Sequence, residues 1–99
     1  MGKIKPFRYF KTPDGKRHKF YKARGVLISK HEVNQTKNQF KNTKKMHEDW
    51  GGSFHYRIVK EKSKKWDQDV YKIYMYSSNK DYASGMKRTA ESLAKQGKL

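Results

Sequence analysis

Hydrophobic and polar residues alternate along two stretches in the second half of the chain. The first stretch covers residues 54–59, and the second covers residues 70–76. Because successive side chains of a strand point to opposite faces of a sheet, this period of two predicts two strands. The polar residues 61–69 between them predict a loop, so the two strands form a hairpin. The side chains assigned to its apolar face are Phe54, Tyr56, Ile58, Tyr71, Ile73 and Met75.

An earlier hairpin is predicted from an aromatic-rich run over residues 4–11 and an extended run over residues 16–29. The segment between them, residues 12–15, has the proline and the glycine of a type I turn. Gly25 is predicted to mark a β-bulge in the second run. Residues 26–28 form the most apolar triplet of the chain, and we expect them to be buried.

Apolar residues recur every three or four positions in two further segments, which predicts two amphipathic helices. The first helix is predicted over residues 30–49, after a capping box that begins at Ser29 and before a pair of glycines. Trp50 continues its apolar stripe and is assigned to the core. The second helix follows a similar cap at Ser78 and is predicted to end near Gln96. Its apolar stripe consists of Tyr82, Met86, Ala90 and Leu93.

These elements predict an α+β fold with the order ββαββα. A chain of 99 residues suits a single domain, and the simplest arrangement is one antiparallel sheet of about four strands with both helices on one face. The edge strands of so small a sheet are sites at which a homodimer can pair across a two-fold axis. The face without helices is expected to stand in water and to carry His55, Arg57, Lys72, Tyr74 and Tyr76.

Positive charge dominates the composition, because 25 Lys and Arg stand against nine Asp and Glu, a formal net charge of +16. A compact body of this charge repels itself, and a polyanionic partner relieves the repulsion. We therefore predict a nucleic-acid-binding protein whose affinity comes from contacts of Lys and Arg with phosphates. The absence of cysteine excludes disulfides and thiolate chemistry. The lack of a long apolar run predicts a cytoplasmic protein without a membrane partner, nucleoid-associated if its ligand is DNA.

Four groups of residues are candidates for the contact with nucleic acid. The middle of the first predicted helix has lysines with no acidic residue among them, namely Lys37, Lys41, Lys44 and Lys45. The water-facing side of the sheet offers cations and rings for base stacking, namely Arg57, Lys72, Tyr74 and Tyr76. The first hairpin is a basic ribbon that carries Lys3, Lys5, Arg8, Lys11, Lys16, Arg17, Lys19, Lys22 and Arg24. The loop of the second hairpin adds Lys64, Lys65 and Trp66.

Each group also has a purely structural interpretation. A lysine-rich helix face is usually no more than a solvated face, and strand tyrosines often form stabilising cross-strand pairs. Lysines on an edge strand protect it from aggregation, and Trp66 can fold back onto the core. The sequence therefore leaves open DNA or RNA and duplex or single strand.

Candidate catalytic residues are few. Asp67 and Asp69, with Glu61 upstream, are the carboxylates that a Mg²⁺-dependent nuclease would need, but no recognised nuclease motif accompanies them. The four histidines lack metal-ligand spacing, and His55 near Arg57 has no partner base in sequence. We therefore predict no enzymatic activity, no metal and no cofactor. The alternatives are a small modulator, of the kind that phages encode, binding an acidic surface of a host polymerase or nuclease, and a small nuclease.

Overall fold

Four strands and two helices follow one another in the predicted order ββαββα in the computed structural model, which describes residues 6–23, 27–63 and 67–96. The strands form one antiparallel sheet with the order β1-β2-β4-β3, so the predicted α+β fold is confirmed. The edges of this sheet are β1 and β3. The pairing of two copies at one of these edges stays a prediction. The elements are β1 (Phe7–Lys11), β2 (Arg17–Lys22), α1 (Lys30–Asp49), β3 (Phe54–Ser63), β4 (Gln68–Ser77) and α2 (Lys80–Lys95).

The second hairpin is longer than predicted. β3 and β4 pair without interruption from Phe54 opposite Ser77 to Ser63 opposite Gln68, so most of the predicted polar loop is strand. Charged pairs explain how polar residues stay in the ladder, because opposite charges on neighbouring strands stabilise a sheet. The ammonium group of Lys60 lies 3.4 Å from the carboxylate of Asp69.

The first hairpin has the predicted turn but a shorter second strand. Gly15 has a φ of +82°, and its N–H donates to the carbonyl of Thr12 at 2.9 Å. After β2, Leu27 rejoins the sheet through an isolated bridge to Tyr71. Of the apolar triplet, Leu27 is buried but Ile28 is half exposed, so burial of Ile28 was wrongly predicted. Val26 and the proposed bulge at Gly25 lie outside the described residues.

The cap of α1 differs in detail from the predicted capping box, although the helix has the predicted bounds. The Ser29 hydroxyl accepts from the N–H of His31 at 3.2 Å rather than from Glu32. At the other end Gly51 has a φ of +77°, and the N–H of Gly52 donates to the carbonyl of His47 at 2.8 Å. This pattern is a Schellman motif, in which glycine adopts the left-handed conformation at little steric cost.

Trp50 is 55% exposed, so its assignment to the core was wrong. The ring of His47 already packs at 5.2 Å against that of Phe54, which is the first residue of β3. A residue nearly one turn further along α1 therefore lies beyond the end of the sheet. Helical periodicity continues to Trp50, but the surface that the helix packs on does not.

α2 begins one residue later than the predicted cap. Asn79, not Ser78, is the N-cap, and its side-chain oxygen accepts from the N–H of Tyr82 at 2.9 Å. The Ser78 hydroxyl instead accepts from the N–H of Ser53 at 2.8 Å. Ser78 therefore ties the start of α2 to the segment that enters β3.

Both helices cover the same face of the sheet, as predicted. α1 lies along β3, whereas α2 lies along β2 and β4. His47 is fully buried between them, with one ring nitrogen 2.8 Å from the Thr43 carbonyl and the other 2.6 Å from the Ser77 hydroxyl. The buried cluster beneath the helices consists of Leu27, Val33, Phe40, Phe54 and Ile73.

The opposite face of the sheet is covered, contrary to prediction, because the first hairpin curls over it. The ring of Phe10 packs at 5.4 Å on that of Tyr74, and the Arg57 guanidinium donates to the Lys11 carbonyl at 3.0 Å. Phe20 and Tyr74 are 0% and 2% exposed. Burying these rings removes apolar surface from water and forms a second, smaller core.

Candidate nucleic-acid interface

All the lysines of α1 lie on one flank of the helix. With about 100° of rotation per residue, they fall within an arc of about 100°, beside the buried stripe rather than opposite it. All are exposed. Among the described residues, no ion pair involves any of them. The group consists of Lys30, Lys37, Lys41, Lys44 and Lys45.

This lysine flank faces the β3 edge of the sheet and points away from α2. Lys44, at one border of the buried stripe, lines a cleft with His55 and Arg57 of β3. Trp50, at the other border, lines a groove with Tyr82 at the start of α2. The lysine flank and the cleft are therefore neighbours around the outer strand of the sheet.

The cleft has a volume of about 190 Å³ and lies between the tip of the first hairpin and β3. The curl of the hairpin creates it, because residues 11–13 approach residues 55–57 only when β1 crosses the sheet. Phe20, which is buried, forms part of its wall. The other residues that line it are Lys11, Thr12, Pro13, Lys44, His55, Tyr56 and Arg57.

Hydrogen bonds fix the hairpin tip over the cleft. The Asp14 carboxylate accepts from the Thr12 hydroxyl and from the N–H of Lys16, the latter at 3.0 Å. These bonds lower the pKa of Asp14, with the Thr12 hydroxyl as the larger cause. Arg57 anchors the same tip through the Lys11 carbonyl. The cations at the cleft are held on three regular elements, with Lys11 on β1, Lys44 on α1 and Arg57 on β3.

His55 presents to the cleft a ring whose uncharged form is favoured by its surroundings. Burial lowers its pKa, and the nearby Lys44 ammonium lowers it further. Its ring is nearly parallel to that of Tyr76, with 6.3 Å between centroids. Tyr76 is in turn stacked on His18 at 4.4 Å. These rings form a stack on the sheet, so Tyr76 is not the free platform that the sequence suggested.

Three predicted contact residues lie near the carboxylate of Glu61, namely Arg8, Lys22 and Lys72. Its carboxylate lies 2.9 Å from the Lys72 ammonium and 3.4 Å from the Arg8 guanidinium, and the hydrogen bond from Lys72 is the main cause that lowers its pKa. Lys22 is only 4% exposed. Burial lowers its pKa to about 8, and the charge of Lys72 contributes.

Two of the predicted contacts are therefore wrong in the folded chain. Lys22 and Tyr74 are buried under the curled hairpin, so neither can reach a phosphate or a base. Arg8 and Lys72 stay accessible in part, although Glu61 offsets their charge.

The remaining predicted residues fall into two groups. Lys16, Arg17 and Lys19 are exposed on the first hairpin, and the Lys19 ammonium lies 4.7 Å from the centre of the Phe7 ring. The predicted contacts outside the described residues are Lys3, Lys5, Arg24, Lys64, Lys65 and Trp66.

Sequence reasoning missed the turn and strand residues that line the cleft. Thr12 and Pro13 carry only a turn signal, and Tyr56 carries only a strand signal. No local pattern indicates that they meet, since more than 40 positions separate them.

The carboxylates considered for a nuclease are dispersed. Glu61 and Asp69 each lie beside a lysine. Within residues 6–23, 27–63 and 67–96, no three His, Asp or Glu side chains come together as a metal site would require. Neither helix, as far as the chain is described, has the length and apolarity needed to cross a bilayer.

Comparison with known proteins yields no match for this chain. No family model matches it. No curated protein and no solved structure is significantly similar to it.

Proposed function

We propose that this protein binds nucleic acid, without cleaving it, through a basic surface around the β3 edge. We define the basic surface as Lys11, Lys37, Lys41, Lys44, Lys45 and Arg57. The observation that carries the proposal is the lysine flank of α1, which is exposed and has no acidic partner among the described residues. Lys11 and Arg57 extend this charge across the cleft.

The release of counterions favours the binding of phosphates to this surface. Each Lys or Arg that neutralises a phosphate releases condensed counterions, and this release favours binding. Six such contacts predict a slope of about −4 to −5 when the logarithm of the binding constant is plotted against that of the salt concentration. The surrounding positive field also accelerates encounter with a polyanion.

The test replaces the four central α1 lysines by glutamine and measures binding by fluorescence anisotropy across a salt series. We expect the K37Q/K41Q/K44Q/K45Q variant to lose about 3 from the magnitude of the slope on any DNA or RNA probe that the wild type binds. The matched control is K80Q/K87Q/R88Q/K95Q, which removes the same charge from exposed positions of α2. We expect the control to change the slope by less than about 1.

Equal effects of the two variants would mean that net charge alone governs binding, which contradicts the proposed surface. A wild-type protein that ignores every oligonucleotide at low salt would overturn the proposal. In that case an acidic protein surface, which the same lysines would attract, becomes the better candidate. Incubation of labelled DNA and RNA with Mg²⁺ or with EDTA tests the non-enzymatic part, for which we expect intact substrate in both.

A further inference from the structure

Resting on the proposed function, we infer that the cleft between the hairpin tip and β3 holds one unpaired base of a bound strand. The strand's phosphates would then lie on Lys11, Lys44 and Arg57. This assigns single-stranded nucleic acid, or an unpaired segment of a duplex, as the preferred ligand. The sequence alone left that choice open.

The size of the cleft suits one aromatic ring. Its volume is about 190 Å³, and a protein cavity of about 150 Å³ is known to accommodate benzene. A base pair, with its two bases locked in a stack, is too large to enter. A base must therefore be unstacked before it can occupy this site.

The lining of the cleft combines the two chemistries that a nucleotide requires. Lys11, Lys44 and Arg57 provide positive charge at its mouth, and no acidic residue lines it. His55 provides a ring surface beside these cations, whereas the Tyr56 ring packs at 4.9 Å on that of Phe40 in the core under α1. Sites for single strands use this combination, with a cationic path for the backbone and rings on which bases stack.

The state of His55 favours a base over a bare phosphate against its ring. Burial, and after it the Lys44 ammonium, lowers the pKa of His55 and so favours the uncharged ring, which offers stacking and hydrogen bonding. The parallel Tyr76 ring supports it from the sheet side. Stacking on such a supported ring requires little reorganisation of the protein.

The experiment compares two single strands that have equal numbers of phosphates. One is a 12-mer of deoxythymidine, and the other is a 12-mer of abasic nucleotides. We expect the wild type to bind the thymidine strand at least about fivefold more tightly, the lower end of what one stacked base contributes. H55A should lose this preference, and H55F should retain most of it because the ring remains. H31A, which removes an exposed imidazole from α1, should behave like the wild type.

Each outcome separates this inference from the proposed function. Equal and salt-dependent binding of both strands would leave the proposed function intact and overturn the inference. The same preference in H55A as in H31A would place the base elsewhere and would also overturn it. Loss of all binding by the wild type would overturn the proposed function itself. Circular dichroism melting of each variant confirms that the compared proteins are folded.

Discussion

Replacing Lys22 by methionine should stabilise the protein at neutral pH. Lys22 is almost fully buried beside Tyr74 and close to the charges of Arg8 and Lys72. Its pKa falls from 10.5 to about 8, which corresponds to about 3 kcal/mol at about 1.36 kcal/mol per pH unit. That energy is the upper limit of what folding loses by burying the ammonium. Methionine has a similar length and no charge, so it removes the penalty and keeps the packing.

The pH dependence identifies the cause. Below pH 8 both the folded and the unfolded chain hold the Lys22 proton, so the full penalty is present. Between pH 8 and pH 10.5 the folded chain loses that proton first, and the unfolded chain binds more protons. The stability of the wild type therefore rises with pH relative to K22M over this window. Above pH 10.5 both states are neutral at this position, and the advantage of K22M disappears.

Urea unfolding followed by circular dichroism at pH 7 and pH 10 measures the effect. We expect K22M to be more stable by up to about 3 kcal/mol at pH 7 and by less than about 1 kcal/mol at pH 10. The control is K19M, an exposed lysine on the same strand, which should shift stability by no more than about 0.5 kcal/mol. A K22M protein that is less stable at pH 7, or an advantage that is the same at both pH values, would refute the reasoning.

Two further predictions concern the structure that supports the basic surface. S77A should destabilise the protein by about 1–3 kcal/mol, because it leaves a nitrogen of the buried His47 ring without its partner at 2.6 Å. Urea unfolding measures this loss, and an unchanged unfolding midpoint would contradict the prediction. G51A should lower the stability by about 1 kcal/mol, because Gly51 has a φ of +77°. G85A should instead raise the stability by about 0.5–1 kcal/mol, because Gly85 lies inside α2 with open space around it. Thermal melting compares the two variants. A change of melting temperature in the same direction for both would contradict the prediction that the glycine conformation determines the effect.

Local signals in the sequence determined much of the fold. The bounds of α1, the turn at residues 12–15 and the existence of both hairpins followed from periodicity, caps and turn residues, and the structure agrees with them. The failures occurred where one part of the chain packs on a distant part. The polar end of β3 stays in the sheet through its charged partners on β4, and Trp50 is exposed because the sheet ends beneath it.

The lysine flank of α1 is a property of the sequence by itself, because helical periodicity alone places those lysines on one side of the helix. The covering of the second sheet face is a property of the tertiary structure. It buries Lys22 and Tyr74, and it brings residues 11–13 to β3 to form the cleft. A period of two tells which side chains share a face but not whether that face stays open. Here the packing of Phe10 and Phe20 against Tyr74 and Tyr76, from strands far apart in the chain, decided the matter.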